Sequence, residues 1–363
     1  MKITAIETIL LQIPYDIGGG PMAIAGRPAT GLNILLVRVD TDAGITGWGE
    51  AFGHAVAPAT KLVIDTMIAP MLIGRDPSNI SQLMSDVSRT LHLFGRNGPV
   101  VYGVSGVDIA LWDIVGKRAD LPLHQMIGGS RCDEVPVYAS LLRYGEASSL
   151  EKNVRDAATQ GYRYIKLHEV NFDLIKLARD VVGPEIKLMV DTNCPWRPRQ
   201  ASEMAERLRP LGLYWLEEPI WPPEDHFGLA QLRPQGVPLS AGENVAGLHD
   251  FRAMFELGAI DIAQPSVTKI GGITEVLKII ALAEGFGVRV VPHCAYFGPG
   301  YLASLHFAAC LGGETPLERL FMNLETAPFS PYTVPENGRT PVPRGPGLGC
   351  DPDMALIARY RID

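Results

Sequence analysis

The chain has 363 residues, 20% of them charged, and a formal net charge of −8. It is too long for one ordinary core and fits a barrel of roughly 250 residues with an appendage of about 100, so two domains are expected. An acidic surface is repelled by nucleic acid and by anionic membrane, which excludes both as main partners and requires any anionic substrate to be attracted locally.

The five cysteines (Cys132, Cys194, Cys294, Cys310 and Cys350) are scattered and form no Cys-x-x-Cys pair. Neither a disulfide frame nor a structural zinc site is implied, and a reducing cytoplasm is the expected location. The opening Met1-Lys-Ile-Thr-Ala-Ile-Glu carries early charges and no long apolar stretch, which fits neither a signal peptide nor a membrane anchor.

Alternation of apolar and polar residues from Ile3 to Ile9, again at Leu35-Leu-Val-Arg-Val-Asp and at Ile45-Thr-Gly-Trp-Gly-Glu, predicts an antiparallel three-stranded meander. The Gly-rich connection around 15–30 reads as a mobile lid, offering Tyr15, Asp16 and Arg27 as polar contacts, with His54 on the following loop. From about Ala59 the pattern turns helical. Val107, Leu111, Ile114 and Val115 form one stripe, and Ser105 is expected to cap it. Ile127-Gly-Gly is a natural linker, giving an α+β domain over 1–127, a barrel over 128–338, and a tail over 339–363 that packs back on the first domain. Eight strand patterns fill the barrel segment, beginning at Val135 and ending in a weak one around Pro316-Leu-Glu.

Asp191, Glu217 and Glu243 follow one another at intervals of 26 residues, each closing an apolar strand-like run. That interval is one strand-plus-helix unit of a (β/α)₈ barrel, so the three carboxylates are expected on its C-terminal rim. Clustered carboxylates repel unless a cation neutralises them, and hard oxygen ligands suit Mg²⁺. Lys166 and His168 end the second barrel strand, and residues two apart on a strand share a side. His293 ends the seventh. An ammonium, two imidazoles and a divalent cation together suit removal of a hydrogen next to a carboxylate, a very weak acid whose loss creates an enediolate. Lys166 and the metal are expected to lower the pKa of His168 by like-charge repulsion.

The chain resembles the enolase superfamily, in the branch around mandelate racemase and muconate lactonizing enzyme. The likeness rests on Gly44-Ile-Thr-Gly-Trp-Gly-Glu, Gly106-Val-Asp-Ile-Ala-Leu-Trp-Asp, Glu217-Glu-Pro, Gly242-Glu-Asn, Lys269-Ile-Gly-Gly and Pro346-Gly-Leu-Gly, and it covers nearly the whole chain. It implies a modified (β/α)₈ barrel beneath an N-terminal α+β capping domain, with Asp191, Glu217 and Glu243 holding Mg²⁺ and Glu218 behind them. It implies His168 as base, Lys166 as electrostatic support, Asn193 facing the pocket, and Glu318 as a protonated or proton-sharing partner of the substrate carboxylate, with Glu325 as competitor. Relatives commonly pair the strand-seven histidine with an aspartate on strand six, but the matching residue here is Ser266, which weakens His293 as a base. Lys269 is also within expected reach of the pocket.

These expectations favour dehydration of an acid sugar, in which His168 removes the α-proton and His293 serves as the acid. Racemisation or epimerisation, and cycloisomerisation of the lactonizing type, remain alternatives. A small carboxylic or sugar acid is the expected partner, and relatives imply a homo-oligomer.

Overall fold

The computed structural model describes residues 1–20, 31–312 and 314–363, and within 21–30 the backbone of two short strands, Ala23–Ile24 and Arg27–Pro28. The side chain of Arg27 and most of the expected lid thus lie outside the described residues.

Strands β1 (Ile3–Ile13), β2 (Leu32–Thr41) and β3 (Thr46–Ala51) form the expected meander, with Leu10 opposite Leu35 and Leu36 opposite Glu50. A helical stretch over 57–72 and the helices α1 (Ile80–Leu91) and α2 (Pro99–Ala119) cover one face. At 21 residues α2 is long and apolar enough to cross a bilayer, yet here it is a core helix. It lies almost on β3: a Cβ on Gly49 would stand 1.9 Å from the Gly106 carbonyl oxygen, so the glycines of the two motifs are required by close approach. The helix begins at Pro99, which suits a first helical position lacking an intrahelical N–H bond. Ser105 is therefore interior and not the expected cap. Its Oγ donates to the Val101 carbonyl and accepts from the Gly271 N–H of the barrel.

Eight parallel barrel strands follow among the described residues: β4 (Glu134–Ser140), β5 (Tyr164–Leu167), β6 (Lys187–Asp191), β7 (Trp215–Glu217), β8 (Leu239–Ala241), β9 (Ile262–Ala263), β10 (Arg289–Val290) and β11 (Leu317–Leu320). They are joined by α3 (Ala147–Thr159), α4 (Phe172–Val182), α5 (Pro198–Leu208), α6 (His226–Leu232), α7 (Leu248–Glu256), α8 (Gly272–Phe286) and α9 (Pro299–Leu311). The hydrogen-bonded path runs β10-β9-β8-β7-β6-β5-β4-β11, so the last strand lies beside the first and the sheet curls into the modified barrel. Tyr138, Tyr164, Met189, Trp215, Ile262 and Val291 fill its interior.

Beyond β11 the chain does not add an eighth barrel helix. Asn323–Leu324 pairs with Tyr15–Asp16, Arg339–Pro341 adds antiparallel to β4, and helix α10 (Met354–Tyr360) leads to an Ile362 N–H that donates to the Leu10 carbonyl of β1.

Candidate active site

Register sets the rim. Glu217 stands opposite Asp191 across the β6–β7 ladder and opposite Ser240 across β7–β8, while Glu243 follows two residues after β8. One oxygen from each of the three carboxylates can lie within 4.8 Å of the others. Each also has an oxygen tethered by the chain. The N–H and Nδ2 of Asn193 donate to Asp191 Oδ1 at 2.9 and 3.0 Å. Trp215 Nε1 and Gln264 Nε2 both donate to Glu217 Oε2 at 2.9 Å, and Asn244 Nδ2 donates to Glu243 Oε1 at 2.9 Å. Three anionic oxygens on adjacent strands, each with its partner oxygen already engaged, fit a hard divalent cation. Asn193, expected to face the pocket, is exposed beside the rim and turns its amide onto Asp191.

The other oxygens meet the cationic groups. Lys166, fully buried, places Nζ 3.4 Å from Asp191 Oδ2, 3.0 Å from Glu217 Oε1 and 2.7 Å from Glu318 Oε1. His168 Nε2 is 3.2 Å from Asp191 Oδ2, and its Nδ1 is 2.5 Å from the Leu141 carbonyl. Across the rim, His293 Nε2 is 2.6 Å from Glu243 Oε2 and Nδ1 is 3.0 Å from Ser266 Oγ. Ser266 in turn shares a hydrogen bond with Tyr296.

Burial opposes charge on both imidazoles, but Asp191 beside His168 and Glu243 beside His293 outweigh it and raise both pKa values. Lys166 pushes the His168 pKa down in the expected direction, but more weakly than the adjacent carboxylate pulls it up. Glu318, expected to hold or share a proton, faces the Lys166 ammonium at 2.7 Å. Burial favours its neutral form, but Lys166, His293 and the Cys294 N–H at 2.9 Å hold it well below the ordinary carboxylate range. Ser140 Oγ donates to its Oε1 at 2.8 Å.

Glu218 behaves differently. Burial first, then Glu243, Asp191 and Glu217, push its pKa well above the usual range, and Asn244 Nδ2 donates to its Oε2 at 2.9 Å. Glu218 stands outside the three carboxylates that converge.

Lys269 Nζ donates to Asn244 Oδ1 at 2.8 Å and stands 4.9 Å over the ring of Phe52, which the capping domain lowers toward the rim. His54 packs on Phe52 with ring centroids 5.0 Å apart. Burial, then Lys269 and His293, lower its pKa to about 4. Tyr15 sits on the strand beside Leu324, and its buried Oη has no hydrogen-bond partner among the described residues. Glu325 is elsewhere, accepting from Tyr360 Oη at 2.5 Å and from Arg359 at 3.3 Å.

Sequence reasoning missed Tyr296, and it missed Glu50 and Asp108. Glu50 accepts from the Gly300 N–H of α9 at 2.9 Å, and Asp108 from the Thr274 N–H of α8 at 3.0 Å, so two buried carboxyls of the capping domain grip the starts of two barrel helices. Their position inside the apolar Gly-Trp-Gly-Glu and Val-Asp-Ile motifs was the available signal.

Residues 5–128 match the mandelate racemase / muconate lactonizing enzyme N-terminal domain, and residues 149–356 match the enolase C-terminal domain-like family. The chain is 33% identical over 353 residues to an arabinonate dehydratase of Saccharolobus solfataricus, covering 94% of each chain. It is 30% identical to a D-galactarolactone cycloisomerase of Agrobacterium fabrum, covering 100% of this chain and 99% of that one. Among solved structures, the 3,6-anhydro-D-galactonate cycloisomerase of Zobellia galactanivorans superposes with a TM-score of 0.86 at 31% identity, covering 100% of both chains. A racemase of Streptomyces coelicolor A3(2) with bound magnesium superposes at 0.87 and 26% identity, covering 99% of this chain and 100% of that one. The chain belongs to the enolase superfamily, in its mandelate racemase / muconate lactonizing enzyme branch.

Proposed function

We propose that this protein is a Mg²⁺-dependent enzyme that removes the α-proton of an acid sugar and eliminates the β-hydroxyl. Asp191, Glu217 and Glu243 would hold the ion, which when bound supplies positive charge for the substrate carboxylate as the α-carbon loses its proton. His168 takes that proton. Its Nδ1, 2.5 Å from the Leu141 carbonyl, fixes the ring so that Nε2 faces the pocket. An ion held by Asp191 would compete for the carboxylate that raises the His168 pKa, leaving the repulsion from Lys166 to favour the neutral base. Lys166 balances the growing charge on the substrate carboxylate, Glu318 orients Lys166, and His293 serves the departing hydroxyl from the opposite side. Asn193 and Ser266 hold Asp191 and His293, while Lys269, His54, Tyr15 and Arg27 are the proposed contacts for the rest of the sugar acid.

The observation that carries this reading is the placement of two imidazoles on opposite flanks of one carboxylate cluster, His168 on Asp191 and His293 on Glu243. The arabinonate dehydratase supports the choice of dehydration. Cycloisomerisation is the second reading, supported by the two relatives of that name. It begins with the same proton removal and differs in the oxygen that leaves.

The test is proton NMR in deuterated water of the Mg²⁺-loaded enzyme with a panel of aldonates, aldarates and their lactones. A 2-keto-3-deoxy acid is the expected product. Opening of a lactone or anhydro ring without loss of a hydroxyl would replace dehydration by the second reading, and α-deuterium in both epimers without elimination would replace both by racemisation. His168→Ala should abolish α-proton exchange.

A further inference from the structure

Strand β4 ends at Ser140 and β5 at Leu167, and the chain leaving the first is laid along the chain leaving the second. The Leu141 N–H donates to the Lys166 carbonyl at 2.8 Å, and the Leu141 carbonyl accepts from His168 Nδ1 at 2.5 Å. Arg143 donates from Nε to the His168 carbonyl at 2.6 Å and from Nη2 to the Thr192 carbonyl, beside Asp191, at 3.2 Å. The N–H groups of Tyr144 and Gly145 both donate to Oε1 of the buried Glu169, at 2.8 and 3.1 Å. Residues 141–145 thus hold 166–169 along their whole length. Every donor is an N–H and every acceptor a carbonyl or carboxyl oxygen, so the direction of each bond is fixed.

The same loop reaches the capping domain. Tyr144 Oη donates to the Ile17 carbonyl at 3.1 Å, and Gly19 lies close on the phenol ring, where a Cβ would stand 2.8 Å from Tyr144 Cδ1. One side chain therefore joins a capping-domain segment to the loop that mounts the proposed base. Proton removal depends steeply on orientation, and a misplacement of about 1 Å can cost on the order of 100-fold in rate. We propose that Tyr144 is a positioning residue that carries the placement of capping-domain residues 17–19 to His168, with Glu169 as the link between them. The effect on turnover rests on the reading of His168 as base, but the link between capping domain and loop does not.

The experiment combines kinetics with amide hydrogen exchange on the Mg²⁺-loaded enzyme, in Tyr144→Phe, Glu169→Leu and the double variant. Tyr144→Phe keeps the ring against Gly19 and removes only the bond to Ile17. It should speed exchange in 166–169 as well as in 15–19 and 141–145, and lower kcat about tenfold with KM and Mg²⁺ affinity nearly unchanged. Glu169→Leu breaks the path at its other end. Because both residues lie on one path, the double variant should lose about as much kcat as Glu169→Leu alone, not the product of the two losses. Exchange in 166–169 unmoved by Tyr144→Phe, a loss that appears in KM, or losses in kcat that multiply would each overturn the proposal. Should Glu169→Leu fail to fold, exchange and kinetics of Tyr144→Phe decide alone. If no acid sugar is turned over, the functional reading fails, and amide exchange still decides whether Tyr144 links the two segments.

Discussion

Lys166 on β5 and Glu318 on β11 meet inside the barrel at 2.7 Å, although a whole strand, β4, lies between theirs. The same ammonium touches Asp191 and Glu217, so in the absence of a cation one lysine balances three buried carboxylates. Replacing it by an apolar side chain leaves that charge uncompensated. Lys166→Met should cost about 3–5 kcal/mol of stability in EDTA. It should also show a larger Mg²⁺-induced rise in melting temperature than the wild type, because the ion then replaces the missing charge. Thermal melts with and without Mg²⁺ measure both.

Glu217 is steered by two donors on one oxygen. Removing either should leave the fold intact and loosen the ligand, lowering Mg²⁺ affinity by about 10- to 100-fold in Gln264→Leu or Trp215→Phe, as read by titration calorimetry. Unchanged affinity in both variants would mean that the ligand is set by backbone register alone.

The two candidate strand-eight acids separate cleanly. Glu318→Gln keeps the shape but forfeits the charge facing Lys166, and kcat/KM should fall by roughly 100-fold. Glu325→Ala removes a surface partner of Tyr360 and Arg359 and should change kcat/KM by less than about twofold. Steady-state kinetics on the preferred acid sugar decide the matter.

Stability should vary with pH through the domain contacts. Burial raises the pKa of Glu50 from 4.5 to about 7 and that of Asp108 from 3.8 to about 7. A folded-state pKa above the unfolded value means that the contribution is fully present below the unfolded pKa and is lost as pH rises through about 7. Glu50→Gln keeps an acceptor for the Gly300 N–H without the titration. Near pH 4.5 it should match the wild type, and at pH 8 it should be more stable by about 2 kcal/mol, with a flatter slope between. Urea denaturation across that range checks the sign.

Three residues illustrate how much was legible in the sequence. Asp191, Glu217 and Glu243 could be placed on one rim because a barrel repeats the same strand and helix, so equal spacing along the chain becomes adjacency in space. The start of α2 was misplaced at Ser105, since its apolar stripe is continuous with earlier glycines and valines and only contact with Gly271 shows what the serine does. Tyr296 was illegible, and the motif around Glu50 signalled a buried acid without naming its partner, for a related reason. Glu50 meets a peptide N–H 250 residues away, and no local pattern encodes such a pairing. The proton affinities of His168 and Glu318 were not legible, because the sequence names the neighbours but not their distances, which decide how Asp191 and Lys166 compete for each proton.

The grip of Glu50 and Asp108 on the barrel helices bears on how an acidic protein collects an anion. Helices α8 and α9 begin at the rim, and the first turn of a helix carries partial positive charge. An ionised carboxylate there would cancel that charge. To the extent that burial keeps both acids neutral, the two helix ends retain their partial positive charge at the rim, where the proposed carboxylate substrate would meet a local attraction on an otherwise acidic molecule.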